Sequence, residues 1–151
     1  MLYLFRKGVR AMEIRKANQN DYIHIVHSIQ NKHIDYITPH LIKLDIQYSR
    51  LYVIIENNII VGSVSFVYDD KYNYYAIKRL CIYNKKNHHK GYAFKLLQFV
   101  STIQVNKIGC TPWEDNYAMK HMLEKLGFSL QYIFNEKWCF YLKETLIIFR
   151  C

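Results

Sequence analysis

The densest chemistry in the chain lies in His88-His89-Lys90-Gly91-Tyr92-Ala93. Residues 74–83 before it read as a buried strand. After it, Ala93, Leu96, Leu97, Val100 and Ile103 recur at the spacing of an amphipathic helix. A strand, a short basic turn with a glycine, and then a helix aim unpaired backbone N–H groups at an anion. The helix dipole adds to that attraction, so a phosphate is the natural guest. On these residues alone a plain basic strand-to-helix loop explains the pattern equally well.

Other reactive residues carry less. His24 and His27 stand three apart on an expected helix and can reach one metal, but no third ligand lies nearby in sequence, so solvent-exposed histidines are expected and no metal site. Cys81, Cys110, Cys139 and Cys151 form no CxxC pair and no disulfide framework, which fits reduced thiols in a cytoplasmic protein. Glu114 and Asp115 follow a short strand and precede a helix, where acids suit the helix N-terminus whether or not they act as bases.

These residues need a folded frame, and the composition provides for one. The chain has 151 residues, 51% hydrophobic and 22% charged, which suits one ordinary domain and excludes disorder. No apolar run approaches the ~20 residues of a membrane span. A net charge of +9 favours a polyanionic partner, whether nucleic acid, a membrane surface or a phosphorylated cofactor. The positive residues are scattered, however, and the chain is rich in Lys, Asn, Ile and Tyr throughout, so charge alone decides nothing.

The order of elements follows from local patterns. Residues 12–17 read as a first strand, and residues 1–11 as an N-terminal extension outside the fold. Asn18 with Asp21 three residues on resembles a capping box, and the helix it opens turns Ile25, Val26 and Ile29 inward. Thr38 caps a second helix at Pro39 that runs through Leu41, Leu44 and Ile46. Residues 51–56 and 59–68 flank Asn57-Asn58 and form an antiparallel hairpin, with Gly62 marking a bulge or a close backbone approach. A third meander strand leads into the basic loop and its helix. A strand at 107–111 follows, then a helix with Ala118, Met119, Met122, Leu123 and Leu126 inward, closed by Gly127. Residues 128–134 and 138–142 close the chain as two strands, and 145–151 form a tail. The fold class is α+β (mixed α/β), with helices on a largely antiparallel sheet.

Three patterns in this order resemble the GNAT superfamily of acyl-CoA-dependent N-acyltransferases. The loop at residues 88–93 is similar to that family's Arg/Gln-x-x-Gly-x-Gly/Ala motif. Asn116 followed by Glu124-Lys125-Leu126-Gly127-Phe128 is similar to its later helix motif, and residues 12–17 resemble its first strand. The likeness spans about residues 12–142 and implies a single domain over 12–144. It also implies a twisted sheet of about six to seven strands with about four helices, splayed between the fourth and fifth strands.

By that resemblance the cosubstrate is acetyl-CoA. His88, His89, Lys90, Gly91, Tyr92 and Ala93 would wrap its pyrophosphate, while Lys85, Lys86, Lys90 and Lys95 add charge for the 3′-phosphate. Leu80, Cys81 and Ile82 would bond the pantetheine arm, Asn116 would bond it further along, and the Ile82 N–H would hold the oxyanion. His88 departs from the usual Arg or Gln, and His89 from a frequent glycine. A larger departure is Leu123, where many members carry a tyrosine that protonates the leaving thiolate.

Glu114 and Asp115 are then the nearest candidates for a base. The implied reaction is direct acetyl transfer to a primary amine, on a small molecule or a protein. A non-catalytic acyl-CoA binder or sensor is the alternative, and a nucleic-acid-binding domain is a distant third. The acceptor wall would include Tyr36, Tyr48, Tyr132, Phe134 and Trp138, residues that equally suit core or homodimer packing.

Overall fold

A computed structural model describes residues 3–7, 10–31, 34, 36–103 and 105–144. The strands are β1 (Tyr3–Lys7), β2 (Arg10–Lys16), β3 (Leu51–Glu56), β4 (Ile59–Asp69), β5 (Tyr74–Ile82), β6 (Lys107–Cys110), β7 (Ser129–Phe134) and β8 (Trp138–Glu144). The helices are α1 (Tyr22–Asn31), α2 (Pro39–Gln47), α3 (Tyr92–Ser101) and α4 (Tyr117–Lys125). Hydrogen bonds order the strands β1-β2-β3-β4-β5-β6-β8-β7. That is a mixed α/β architecture of the expected class, with one strand more than expected. The added strand is β1, from a segment expected to lie outside the fold; it pairs antiparallel with β2 from Tyr3↔Ile14 to Lys7↔Arg10. Residues 145–151, expected as a tail, lie outside the described residues.

The chain divides into two compact units, Met1–Phe66 with Arg79–Leu96, and Val67–Lys78 with Leu97–Cys151. In the first, the Asn57-Asn58 turn takes φ values of 50° and 65°, which asparagine tolerates and a tight hairpin requires. Opposite the hairpin's second strand the register slips between Ile54 and Ile55, so Gly62 sits beside a bulge. A Cβ at Gly62 would also fall 2.8 Å from the Cys81 carbonyl oxygen and 2.6 Å from the Ile82 side chain. Gly62 therefore serves both expected purposes.

The capping box before α1 forms with both of its bonds around a short 3-10 turn at Gln19–Asp21. Ile25 and Ile29 enter a core with Ile42, Ile46, Leu51 and Val53, whereas Val26 is only partly covered. Thr38 Oγ1 accepts the Leu41 N–H at 3.2 Å and opens α2. As expected, α2 runs through Leu41, Leu44 and Ile46, and it buries one face. That face carries Ile42, Asp45 and Ile46, while Leu41 and Leu44 stand at its edges. A buried aspartate goes against apolar periodicity, so counting hydrophobic residues does not find Asp45.

In the second unit β5 pairs with β6 in parallel, Tyr75↔Ile108 to Ile77↔Cys110, and β6 pairs antiparallel with β8. Pairing with β6 stops at Ile77, although β5 runs on to Ile82. β6 itself ends at Cys110, the partner of Ile77. Met119 and Leu123 are the buried residues of α4; Ala118, expected inward, is exposed. Gly127 follows the helix with φ 91°, and the Phe128 N–H reaches back to the Leu123 carbonyl at 3.0 Å.

Candidate functional site

The basic loop builds itself from its own backbone. Asn84 Oδ1 accepts the Lys86 N–H at 3.2 Å and opens a short 3-10 turn at Lys85–Asn87, a turn the sequence patterns did not announce. His88 leaves it in extended conformation. His89 and Gly91 then take left-handed values, φ 64° and 81°. Left-handed residues alternating with ordinary ones turn successive N–H groups toward one side, the concave arrangement that cradles anions.

The first helical turn of α3 begins at Tyr92, and its leading N–H groups have no acceptor within the helix. Nothing stands within 4 Å of where a Gly91 Cβ would lie, so its glycine is required by φ and the space above it stays open. Lys85, Lys86, His88, His89 and Lys90 are all exposed around this turn. An anion of the size of a pyrophosphate fits this donor set.

His88 is tied to the neighbouring strand. Its Nε2 lies 3.2 Å from the Ile82 carbonyl oxygen, and because a carbonyl only accepts, that nitrogen carries the proton. Leu80, Cys81 and Ile82, expected to line the pantetheine arm, thus share the first unit with residues 88–93, and one hydrogen bond joins the two groups. Glu114, Asp115 and Asn116 belong to the second unit. Glu114 and Asp115 are exposed; the Glu114 N–H bonds the Lys137 carbonyl, and its carbonyl accepts from Lys120 Nζ. Asn116 caps α4, its Oδ1 accepting the Met119 N–H at 3.2 Å. Leu123, at the position where a tyrosine acid would stand, is 0% exposed.

Sequence patterns missed two features of the first unit. The first is Tyr36, expected only as part of an acceptor wall. Its hydroxyl donates to the Leu80 carbonyl at 3.4 Å and also interacts with the Cys81 thiol. The side chain as a whole stays 62% exposed, so it meets both solvent and strand. Burial of its hydroxyl, with the Cys81 contact, pushes the phenol pKa well up, so the hydroxyl holds its proton at neutral pH. Burial likewise pushes the Cys81 thiol up, against a smaller opposing effect of the Tyr36 hydrogen bond. A thiol in that state is a poor nucleophile.

The second missed feature is the backbone of β5 itself. Arg79 sits mid-strand with φ 52°, a left-handed state that costs an L-residue about 1–2 kcal/mol. Its guanidinium bonds the fully buried Asp45 carboxylate, Nη2 to Oδ2 at 2.8 Å. No hydrophobic period signals either residue; the only clue in the sequence is an aspartate inside an apolar helix.

The expected aromatic wall divides between the units. Tyr132 and Phe134 line a pocket of about 460 Å³ in the second unit with Tyr74 and Phe140, and Trp138 stacks against Trp113 at 4.1 Å between ring centres. Tyr36 and Tyr48 belong to the first unit, where Tyr48 packs under Arg50. Among the described residues, no cluster of His, Cys, Asp or Glu is placed to hold a metal, and no helix is long and apolar enough to cross a membrane.

Comparison with known proteins bears on the family and the fold. The profile of the family described as Acetyltransferase (GNAT) family matches residues 11–128. A GNAT-family acetyltransferase from Bacillus cereus ATCC 10987 superposes with TM-score 0.77 at 22% identity, over 90% of this chain and 99% of that one. One from Streptococcus agalactiae 2603 gives 0.76 at 20%, over 96% and 100%. An N-acetyltransferase from Staphylococcus aureus Mu50 gives 0.73 at 14%, over 88% and 97%. At these identities the likeness concerns the fold. No curated protein matches the chain.

Proposed function

Since the chain belongs to the GNAT acetyltransferase family, we propose that it moves an acetyl group from acetyl-CoA directly to a primary amine. The observation that carries this reading is the turn at residues 88–93, with two left-handed residues ahead of a helix N-terminus. Acetyl-CoA supplies a thioester, an acyl group already activated for transfer. Backbone N–H groups from His89 to Ala93 bind its pyrophosphate, and the surrounding lysines add attraction that weakens with salt.

Leu80, Cys81 and Ile82, where β5 runs on past its last pair with β6, offer backbone groups to the pantetheine amides. The Ile82 N–H is the donor toward the thioester oxygen, which gains charge as the amine attacks. Cys81 keeps its proton and stays out of the covalent chemistry, which favours direct transfer over an acyl-cysteine. With Leu123 unable to donate, Tyr36 is the phenol facing this strand, and it holds the proton a departing thiolate takes up. A thiolate with a pKa of about 8.5 departs with modest help, so a flexible, half-exposed donor is enough. Glu114 and Asp115, exposed ahead of α4, are carboxylates able to take up a proton through water.

A second reading keeps the acyl-CoA site and drops the chemistry: a non-catalytic binder or sensor. It is favoured by the buried Leu123 and by the exposure of both candidate bases. Titration calorimetry tests what the two readings share. Acetyl-CoA should bind the wild type and bind at least tenfold more weakly to Gly91→Val, because a β-branched residue resists positive φ. Absence of binding to the wild type would overturn both readings. Thiol release from acetyl-CoA across a panel of small amines and peptide amino groups then separates enzyme from sensor.

A further inference from the structure

We propose that Asp45, on α2, is a positioning residue for acyl transfer: it holds Arg79 in its left-handed state and so fixes the Leu80–Ile82 backbone toward the thioester. This rests on the acyl-CoA reading above. Arg79 is neither glycine nor asparagine, and φ 52° in the middle of a strand must be held by something outside the backbone. The hold is ionic and multiple. Arg79 Nη2 reaches Asp45 Oδ2 at 2.8 Å and Oδ1 at 3.1 Å, and Nε reaches Oδ2 at 3.2 Å. Ser65 Oγ donates to the same carboxylate at 2.5 Å, and Arg50 Nε does so at 2.7 Å. Asp45 is 0% exposed and the Arg79 side chain only 17%. Each lone pair of the buried carboxylate is thus engaged, which gives the pair a defined geometry rather than a loose surface contact.

The same stretch of chain meets β5 a second time. Tyr36, just ahead of α2, places its hydroxyl at the Leu80 carbonyl. Adjacent residues Arg79 and Leu80 are therefore both gripped from the α2 side, one by charge and one by a hydrogen bond. A core ion pair with a purely structural role would lower stability when removed and leave a bound thioester unchanged. A positioning pair would change how strongly an N–H donor polarises the thioester carbonyl.

The test uses the full chain with acetyl-CoA labelled with ¹³C at the acetyl carbonyl. Difference infrared spectroscopy reads the thioester C=O stretch, and calorimetry reads Kd for acetyl-CoA and for CoA. In the wild type the stretch should move to lower frequency on binding. In Asp45→Asn and in Arg79→Gly that displacement should disappear, with a larger loss of affinity for acetyl-CoA than for CoA. Glycine accepts positive φ freely, so Arg79→Gly removes the ionic hold without adding strain, and it decides the matter if Asp45→Asn does not fold. An unchanged stretch in Arg79→Gly overturns the proposal, as does a loss of CoA affinity equal to the loss for acetyl-CoA. A wild type that binds acetyl-CoA without any displacement also overturns it. A wild type that binds no acetyl-CoA overturns the acyl-CoA reading instead.

Discussion

The His88 ring donates its Nε2 proton to the Ile82 carbonyl, 3.2 Å away, and so joins the anion loop to the strand proposed to hold the acyl group. The bond explains how histidine serves where the family usually has Arg or Gln: the position is used as a donor to backbone. His88→Ala should weaken acetyl-CoA binding by roughly fivefold, the worth of about one hydrogen bond of 1 kcal/mol. His88→Gln, which keeps an N–H donor, should recover most of it. Calorimetry on the two variants checks the pair; equal losses would show that donation is not what the ring contributes.

Tyr36→Phe removes one oxygen from the segment ahead of α2. If the phenol protonates the leaving thiolate, kcat should fall roughly 10- to 100-fold, at or below the low end for general acids. Kd for CoA should stay unchanged, because the anion loop is untouched. Since burial holds the phenol protonated, kcat should show no alkaline decline traceable to Tyr36 near neutral pH. Steady-state kinetics from pH 6 to 9 on both proteins reads this once an acceptor amine is in hand.

Asp21 ties the start of α1 to β2. Its burial would raise the carboxyl pKa, but the Arg15 guanidinium at 2.7 Å and the Asn18 N–H at 2.8 Å outweigh that and leave it lowered. A carboxyl depressed in the folded state contributes stability above its unfolded pKa of about 3.9, and loses that contribution as pH falls through the folded value. Asp21→Asn should therefore cost about 1–2 kcal/mol at pH 7, the scale of a lost cap with its ion pair. The gap from wild type should close below about pH 4. Urea unfolding at both pH values measures it.

Tyr92 carries the only buried side-chain oxygen without a hydrogen-bond partner among the described residues. Leaving a hydroxyl unsatisfied costs about 1–3 kcal/mol. Tyr92→Phe should accordingly raise the midpoint of thermal unfolding by a few degrees, with acetyl-CoA binding unchanged because the loop donates through its backbone. A lower midpoint would mean that the hydroxyl has a partner after all, and the first place to seek it would be the bound cosubstrate.

Much of this was legible from residue patterns, and the reason differs by feature. The hairpin was readable because Asn57-Asn58 tolerates the φ values a tight turn needs, and Gly127 because a helix end calls for a left-handed residue. The turn at residues 88–93 was readable as a turn into a helix because it depends on a glycine and a helix start rather than on distant contacts. Asp45 and Arg79 were not readable. One lies within an apolar helix and the other within a strand, and only tertiary packing brings together residues so far apart in sequence. Tyr36 went unrecognised as a donor for the same reason. Local periodicity also counted Ala118 as inward, since a small residue fits either face of a helix.

At Gly62, β4 passes so close to Cys81 and Ile82 that even a methyl group would collide with the acyl strand. For anyone seeking to redirect the protein toward another acceptor, that wall is closed to redesign. A side chain at position 62 would force the Cys81 carbonyl or the Ile82 side chain to shift. The room for engineering lies along the exposed flank of α2.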